Sequence, residues 1–357
     1  MDQPLGTIDP MTELVPTIDL THWRDGDRAD VAARMNRACS DIGFFQVVGH
    51  GIPDHVLADM RSTTDDFFAL PAAVKQRCAP PAPEVNRGYA ARGVEGLAYS
   101  VGVVRPPDLF EAFNIGPEVV DENNTSIAIE RHRLFAANIW PHEVPQLRPA
   151  LVAYMDAARS VADTLMAVYA MALRLPEGYF AAFTTHSTDT LRVNHYQTQP
   201  GDPDLEAGQL GMGEHTDYGM CTVLFADQVP GLQIVGPDGR WHHVAPSDGA
   251  LLINLGDLMA QWTNDRWRST LHRVLPPERD ATHVRRRRSV AFFHDGNHDA
   301  LIECLPTCLP AGASPKYAPI RAGDHLMAKL IGPRLLTASN ATDTTGGRLD
   351  ALSGDSG

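Results

Sequence analysis

The sequence predicts an α+β protein with a mainly β core: a double-stranded β-helix, or jelly roll, with flanking helices. Three observations predict it. From Leu191 onward, seven short apolar or aromatic runs follow one another, separated by turns. Short strands at such regular spacing favour a sandwich or barrel. Ahead of them, helical stripes alternate with brief strand-like runs. Between the two regions, Leu151, Met155, Ala158, Ala162, Leu165 and Tyr169 recur at spacings of three and four. That stripe marks one long helix facing the core.

Taken in order, residues 1–14 read as a flexible leader and 15–20 as a short strand. A helix over 30–40 carries Val31, Met35 and Ala38 on one stripe and is stopped by Gly43. The run 44–48 is rich in β-formers, and Gly49 to Pro53 makes a turn. Asp54 is expected to cap a helix reaching Leu70. Residues 79–117, rich in Pro and Gly, read as loops and short strands. The long helix spans 149–173, with Pro176 beyond its end. Strands follow at 191–197, 221–225, 232–235, 241–244, 250–255, 270–274 and 287–294. The boundaries are therefore a mixed α/β region over 15–185, a jelly-roll core over 186–335, and a disordered tail over 336–357 rich in Thr, Ser, Gly and Asp.

The chain has 357 residues, with 44 acidic side chains against 30 Lys and Arg. That balance argues against a nucleic-acid binder. The basic run Arg285 to Arg288 falls inside a strand pattern, and Arg285, Arg286 and Arg288 read as a solvated patch. Five cysteines in no framework spacing suit a reducing, cytoplasmic setting. Cys304 and Cys308 read as core or loop residues. The N-terminus lacks the features of a signal peptide, and no apolar run is long enough to span a membrane. No membrane partner is expected, and the sequence does not speak to oligomeric state.

The chemistry gathers on Gly213 to Gly219. His215 and Asp217 are two apart, so a strand would place both on one face. Gly211 and Gly213 would let the strand bend ahead of them. His272 arrives in a second strand-like run, Ser269 to Val274. Two imidazoles and one carboxylate on one face of a metal form the open ligand set of non-haem Fe(II) oxygenases. On the strand 287–294, Arg287, Ser289, Ala291 and Phe293 share a face. An inward guanidinium needs an anion, because an unpaired buried charge is costly. Arg grips a carboxylate through paired hydrogen bonds, and Ser289 can add one more. On 191–197, Arg192, Asn194 and Tyr196 line one face and Leu191 and Val193 the other. Tyr89, Phe113 and Phe293 are candidate substrate contacts. The run His294 to Asp299, rich in ligand types, reads as a loop.

With these motifs in hand, the chain resembles the isopenicillin-N-synthase-like branch of the Fe(II)/2-oxoglutarate-dependent oxygenases over residues 14–330. The resemblance rests on Val15 to Leu20, Gly43-Phe44-Phe45 and Gly49 to Pro53. It rests further on Asn194-His195-Tyr196, His215-Thr216-Asp217, Gly231-Leu232-Gln233, Thr263-Asn264, His272-Arg273-Val274 and Arg287-Arg288-Ser289. It implies Fe(II) held by the catalytic residues His215, Asp217 and His272. It implies 2-oxoglutarate as co-substrate, bound by Arg287, Ser289, Tyr196 and Asn194. The implied reaction uses O2 to hydroxylate, desaturate or cyclise a small organic metabolite, with release of succinate and CO2. Relatives that transfer halide lack the carboxylate that Asp217 supplies, so halogenation is not expected. Two alternatives stay open on the residues: an oxidase of the same fold that uses O2 without 2-oxoglutarate, and a non-catalytic metal-binding sensor.

Overall fold

A computed structural model describes residues 14–121 and 123–336. The expected leader and tail lie outside these residues, apart from Leu14 and Leu336.

Two open sheets stack face to face. The strands of the larger are β1 (Thr17–Asp19), β2 (Phe44–Val48), β3 (Gly88–Ala90), β4 (Phe110–Ile115), β5 (Thr190–Thr198), β7 (Cys221–Ala226), β10 (Leu251–Leu255) and β12 (Arg285–His294). Their order is β1-β2-β10-β7-β12-β5-β4-β3. The smaller sheet runs β6 (Met212–His215), β11 (His272–Val274), β8 (Leu232–Val235) and β9 (Trp241–His243). This is the double-stranded β-helix, left open at its edges. Residues 15–185 and 186–335 both contribute strands to the larger sheet.

Period-two alternation sorts each strand of the larger sheet. Leu191 and Val193 of β5 and Val290 and Phe292 of β12 join the cluster on the outer face. There they meet α6 (Leu147–Ala172), whose Leu151, Met155, Ala158, Ala162 and Leu165 are buried as its stripe requires. The other parity faces the smaller sheet. Phe110, Ala112 and Tyr196 pack there with Met212, Leu232, Ile234 and Val274. Full burial of one such side chain is worth about 1.5–3 kcal/mol.

Several expected boundaries shift for local reasons. The first long helix, α2 (Arg28–Asp41), starts earlier because Asp27 caps it by accepting from the Asp30 N–H at 3.0 Å. In α3 (Asp54–Phe68) the N-cap is Pro53, and Asp54 lies in the first turn, where its charge complements the helix dipole. Strand β6 ends at His215, so Asp217 is not on a strand. Its carbonyl instead accepts from the Asp257 N–H at 2.8 Å, which turns the chain onto α7 (Asp257–Trp262). Gly213 is needed for close approach rather than for bending: a Cβ there would lie 2.8 Å from the Ala98 nitrogen. A last helix, α8 (Ala322–Leu335), closes one end of the space between the sheets. Among the described residues, no helix is long and apolar enough to cross a membrane.

Candidate active site

The smaller sheet brings His215 and His272 together as direct partners across β6 and β11. Their ring centroids are 4.2 Å apart. Each ring is fixed by a backbone carbonyl: His215 Nδ1 lies 2.8 Å from Gly213 O, and His272 Nδ1 lies 3.0 Å from Thr270 O. A carbonyl only accepts, so both Nδ1 atoms carry the proton and both Nε2 lone pairs are open. Those Nε2 atoms lie 3.8 and 3.7 Å from Asp217 Oδ1. Asp217 Oδ2 is committed elsewhere, to Asn254 Nδ2 at 2.7 Å and to the Thr222 hydroxyl. Three lone-pair donors therefore converge on one point, which suits a divalent cation. Burial, followed by the neighbouring His272, holds the His215 pKa well below its usual range. The ring is neutral, as a ligand must be.

The scaffold behind the triad was not apparent in the sequence. Thr216 and Ser269 both donate to the Asp257 carboxylate, at 3.1 and 2.7 Å. Lys329 of α8 lies 3.2 Å from the same group. Asp257 thus ties the two ligand-bearing segments to one buried anchor. Asn254 is the partner that a sequence signal could have revealed, since it interrupts the apolar run of β10.

Arg287 is 2% exposed, and its Nε and Nη1 have no hydrogen-bond partner among the described residues. It pairs in register with Tyr196, and its guanidinium lies 5.2 Å from that ring. Ser289 pairs with Asn194 one step further along. Arg192 Nε donates to Asn194 Oδ1 at 2.9 Å, which leaves the Asn194 NH2 as donor. The Tyr196 hydroxyl lies 3.8 Å from Met212 Sδ. Burial pushes its pKa up, so it is a neutral phenol. Arg287, Ser289, Asn194, Tyr196 and the triad all line one cavity between the sheets.

Of the candidate substrate contacts, Phe293 lines this cavity. Tyr89 and Phe113 do not. Phe113 has the parity of Val193, its register partner, and packs on Phe67 on the helix side of the sheet at 4.7 Å. Tyr89 pairs with Phe113 and donates its hydroxyl to Glu111 at 2.6 Å. Arg288 also departs from expectation: it is buried against α3, not solvated. The run His294 to Asp299 leaves β12 as a loop. Asp299 accepts from Ser126 and His186 at 2.6 and 2.8 Å.

Comparison with known proteins completes the picture. A family described as "non-haem dioxygenase in morphine synthesis N-terminal" matches residues 15–143, and the 2OG-Fe(II) oxygenase superfamily matches residues 187–296. The chain belongs to the 2OG-Fe(II) oxygenase superfamily. The oxygenase is 35% identical to the 2-oxoglutarate-Fe(II) type oxidoreductase hxnY of Emericella nidulans, over 87% of each chain. It is 34% identical to validamycin A dioxygenase of Streptomyces hygroscopicus subsp. limoneus, over 90% of this chain and 87% of that one. Its fold superposes on Neurospora crassa T7H, solved with alpha-KG, with a TM-score of 0.76 and 29% identity. That match covers 88% of this chain and 95% of the other. The oxygenase is thus a 2-oxoglutarate-dependent dioxygenase, an oxidoreductase that uses Fe(II), O2 and a small-molecule substrate. Neither the co-substrate-free oxidase nor the sensor is needed.

Proposed function

We propose that this oxygenase hydroxylates a C–H bond of a small organic metabolite, with His215, Asp217 and His272 as the iron ligands. Arg287 and Ser289, helped by Tyr196 and Asn194, hold 2-oxoglutarate, and Phe293 bounds the substrate. Desaturation and ring closure remain accessible to the same site, but each needs a second group held in register. Hydroxylation needs one hydrogen removed at one carbon.

One observation carries this reading. A fully buried guanidinium without an anion faces the cavity that the triad also faces. Such a charge is very costly unless a ligand supplies the carboxylate. The bound iron and 2-oxoglutarate supply the oxidising chemistry, with succinate and CO2 as by-products. The protein's part is placement. Hydrogen bonds to the two Nδ1 atoms fix the imidazoles, and Asn254 and Thr222 fix the carboxylate. Such outer partners commonly tune metal affinity by 10- to 100-fold, as an order of magnitude. Leu232, Val274 and Phe44 line the same cavity and keep it dry. We keep residues 15–185 as the supporting region and 186–335 as the catalytic core.

The test is an anaerobic titration of 2-oxoglutarate into the Fe(II)-loaded enzyme, followed by the absorbance of the metal–oxoacid chelate. The wild type should develop the band and His215→Ala should not. A band of equal strength in that variant would displace the metal site.

A further inference from the structure

The strand register separates two cationic ends of the cavity. Arg287 pairs with Tyr196, Ser289 with Asn194, and Ala291 with Arg192. Arg192 is therefore four residues along from the 2-oxoglutarate end, on the order of 13 Å at about 3.3 Å per residue. The partner of Arg192 is alanine, and its guanidinium lies 5.0 Å from the Phe110 ring.

Around Arg192 the cavity wall holds more positive charge than the protein neutralises. Arg192 Nη2 donates to Glu95 Oε2 at 2.5 Å and Nε to Asn194, while Nη1 has no partner among the described residues. Arg334, carried in by α8, has its Nε 3.8 Å from the other Glu95 oxygen. It donates to Pro83 O at 2.6 Å and to Asn86. Arg87, fully buried nearby, donates to the Asn86, Leu134 and Ala136 carbonyls and to no acid. Burial and the Arg334 charge pull its pKa down to about 10. Arg192 and Arg334 thus share the single carboxylate of Glu95, with the Arg87 charge beside Arg334. Two other carboxyls near the wall are pushed toward the neutral form by burial. Asp108 is pushed up to about 7 by burial and accepts from the Leu97 and Gly213 N–H groups. Asp295 is raised well above its usual value by burial and by Asp189 and Asp217.

We infer that the substrate carries a carboxylate, and that Arg192, backed by Arg334, receives it at the end of the cavity away from Arg287. This rests on the reading of Arg287 as the 2-oxoglutarate clamp. Glu95 is held by two arginines and is not free to receive a cationic amine, so Arg192 is the specificity-determining residue. A guanidinium with a free Nη1 amino group facing a cavity is suited to a carboxylate oxygen. The three apolar side chains that α8 adds to the lining, Leu326, Leu330 and Pro333, would cover the rest of the molecule.

The experiment compares matched acids and primary amides: L-proline and L-prolinamide, phenylacetate and phenylacetamide, hexanoate and hexanamide. Each is titrated anaerobically into the enzyme holding Fe(II) and 2-oxoglutarate, with the shift of the chelate band as readout. At least one acid should bind about tenfold or more tighter than its amide, the worth of one charge-assisted hydrogen bond. Arg192→Gln should erase that preference, Arg192→Lys should restore part of it, and Arg334→Gln should weaken it. The 2-oxoglutarate affinity should stay within about twofold in Arg334→Gln, and each acid/amide ratio is taken at saturating 2-oxoglutarate. Amides that bind as well as acids, no binding by any acid, or a preference that survives Arg192→Gln would each overturn the inference. Failure of the wild type to form the chelate would instead strike the underlying assignment of the site.

Discussion

Arg287 and Arg288 are neighbours on one strand, both buried, and they have opposite fates. Arg288 points to the helices. Its Nη1 donates to the Arg61 carbonyl at 2.6 Å, to Asp65 at 2.8 Å and to Thr64 at 3.0 Å. Arg287 points between the sheets, where its Nε and Nη1 find no partner among the described residues. One arginine is part of the housing and the other lines the cavity. The difference teaches that the helix side of the larger sheet supplies Arg288 with its own counter-charges, while the inner side supplies none to Arg287.

The largest effect that would sharpen this contrast is His215→Ala. It removes a corner of the triad, and succinate release should fall below detection. Retained turnover would place the metal elsewhere. Next come the two phenylalanines that divide the same faces. Phe113→Ala, on the helix side, should cost about 3–5 kcal/mol of stability by urea unfolding. Phe293→Ala should cost under about 1.5 kcal/mol, because it empties space that is already cavity. Equal costs would break the distinction between the faces. A smaller effect is expected of Asn254→Ala, which leaves Thr222 as the remaining partner of Asp217 Oδ2. Iron affinity should drop about tenfold or more with the fold intact, measured by Fe(II) titration. Smallest is Arg288→Gln. It should destabilise by about 1–2 kcal/mol, because Asp65 is 65% exposed and solvent screens that pair. Its 2-oxoglutarate affinity should not change.

Much of this could be read from the chain because strands write their two faces into alternate residues. Leu191 and Val193 against Arg192, Asn194 and Tyr196 announce a packed side and a polar side. The triad was legible for the same reason, although Asp217 reaches it from a turn beyond β6 rather than from the strand. The errors lie where the pattern is ambiguous. In β4, Phe110 and Phe113 are both aromatic but of opposite parity, so composition cannot say which one faces the smaller sheet. A run of four arginines looks like a solvated surface until α3 is seen lying on Arg288. Glu95 and Arg334 meet from segments far apart in the chain, and no local spacing encodes that encounter. Thr222 and Asp257 act through side-chain hydrogen bonds to residues in other segments, which leave no periodic trace.

The central claim is that Arg287 is left unpaired for the distal carboxylate of 2-oxoglutarate. The most direct test measures 2-oxoglutarate affinity and the urea midpoint together in Arg287→Gln. Affinity should fall about 100-fold, the loss of two charge-assisted hydrogen bonds, while the midpoint holds or rises because an unpaired buried charge has gone. Affinity that stays within a few-fold of wild type, together with a fallen midpoint, would show Arg287 to be housing like its neighbour and would contradict the account.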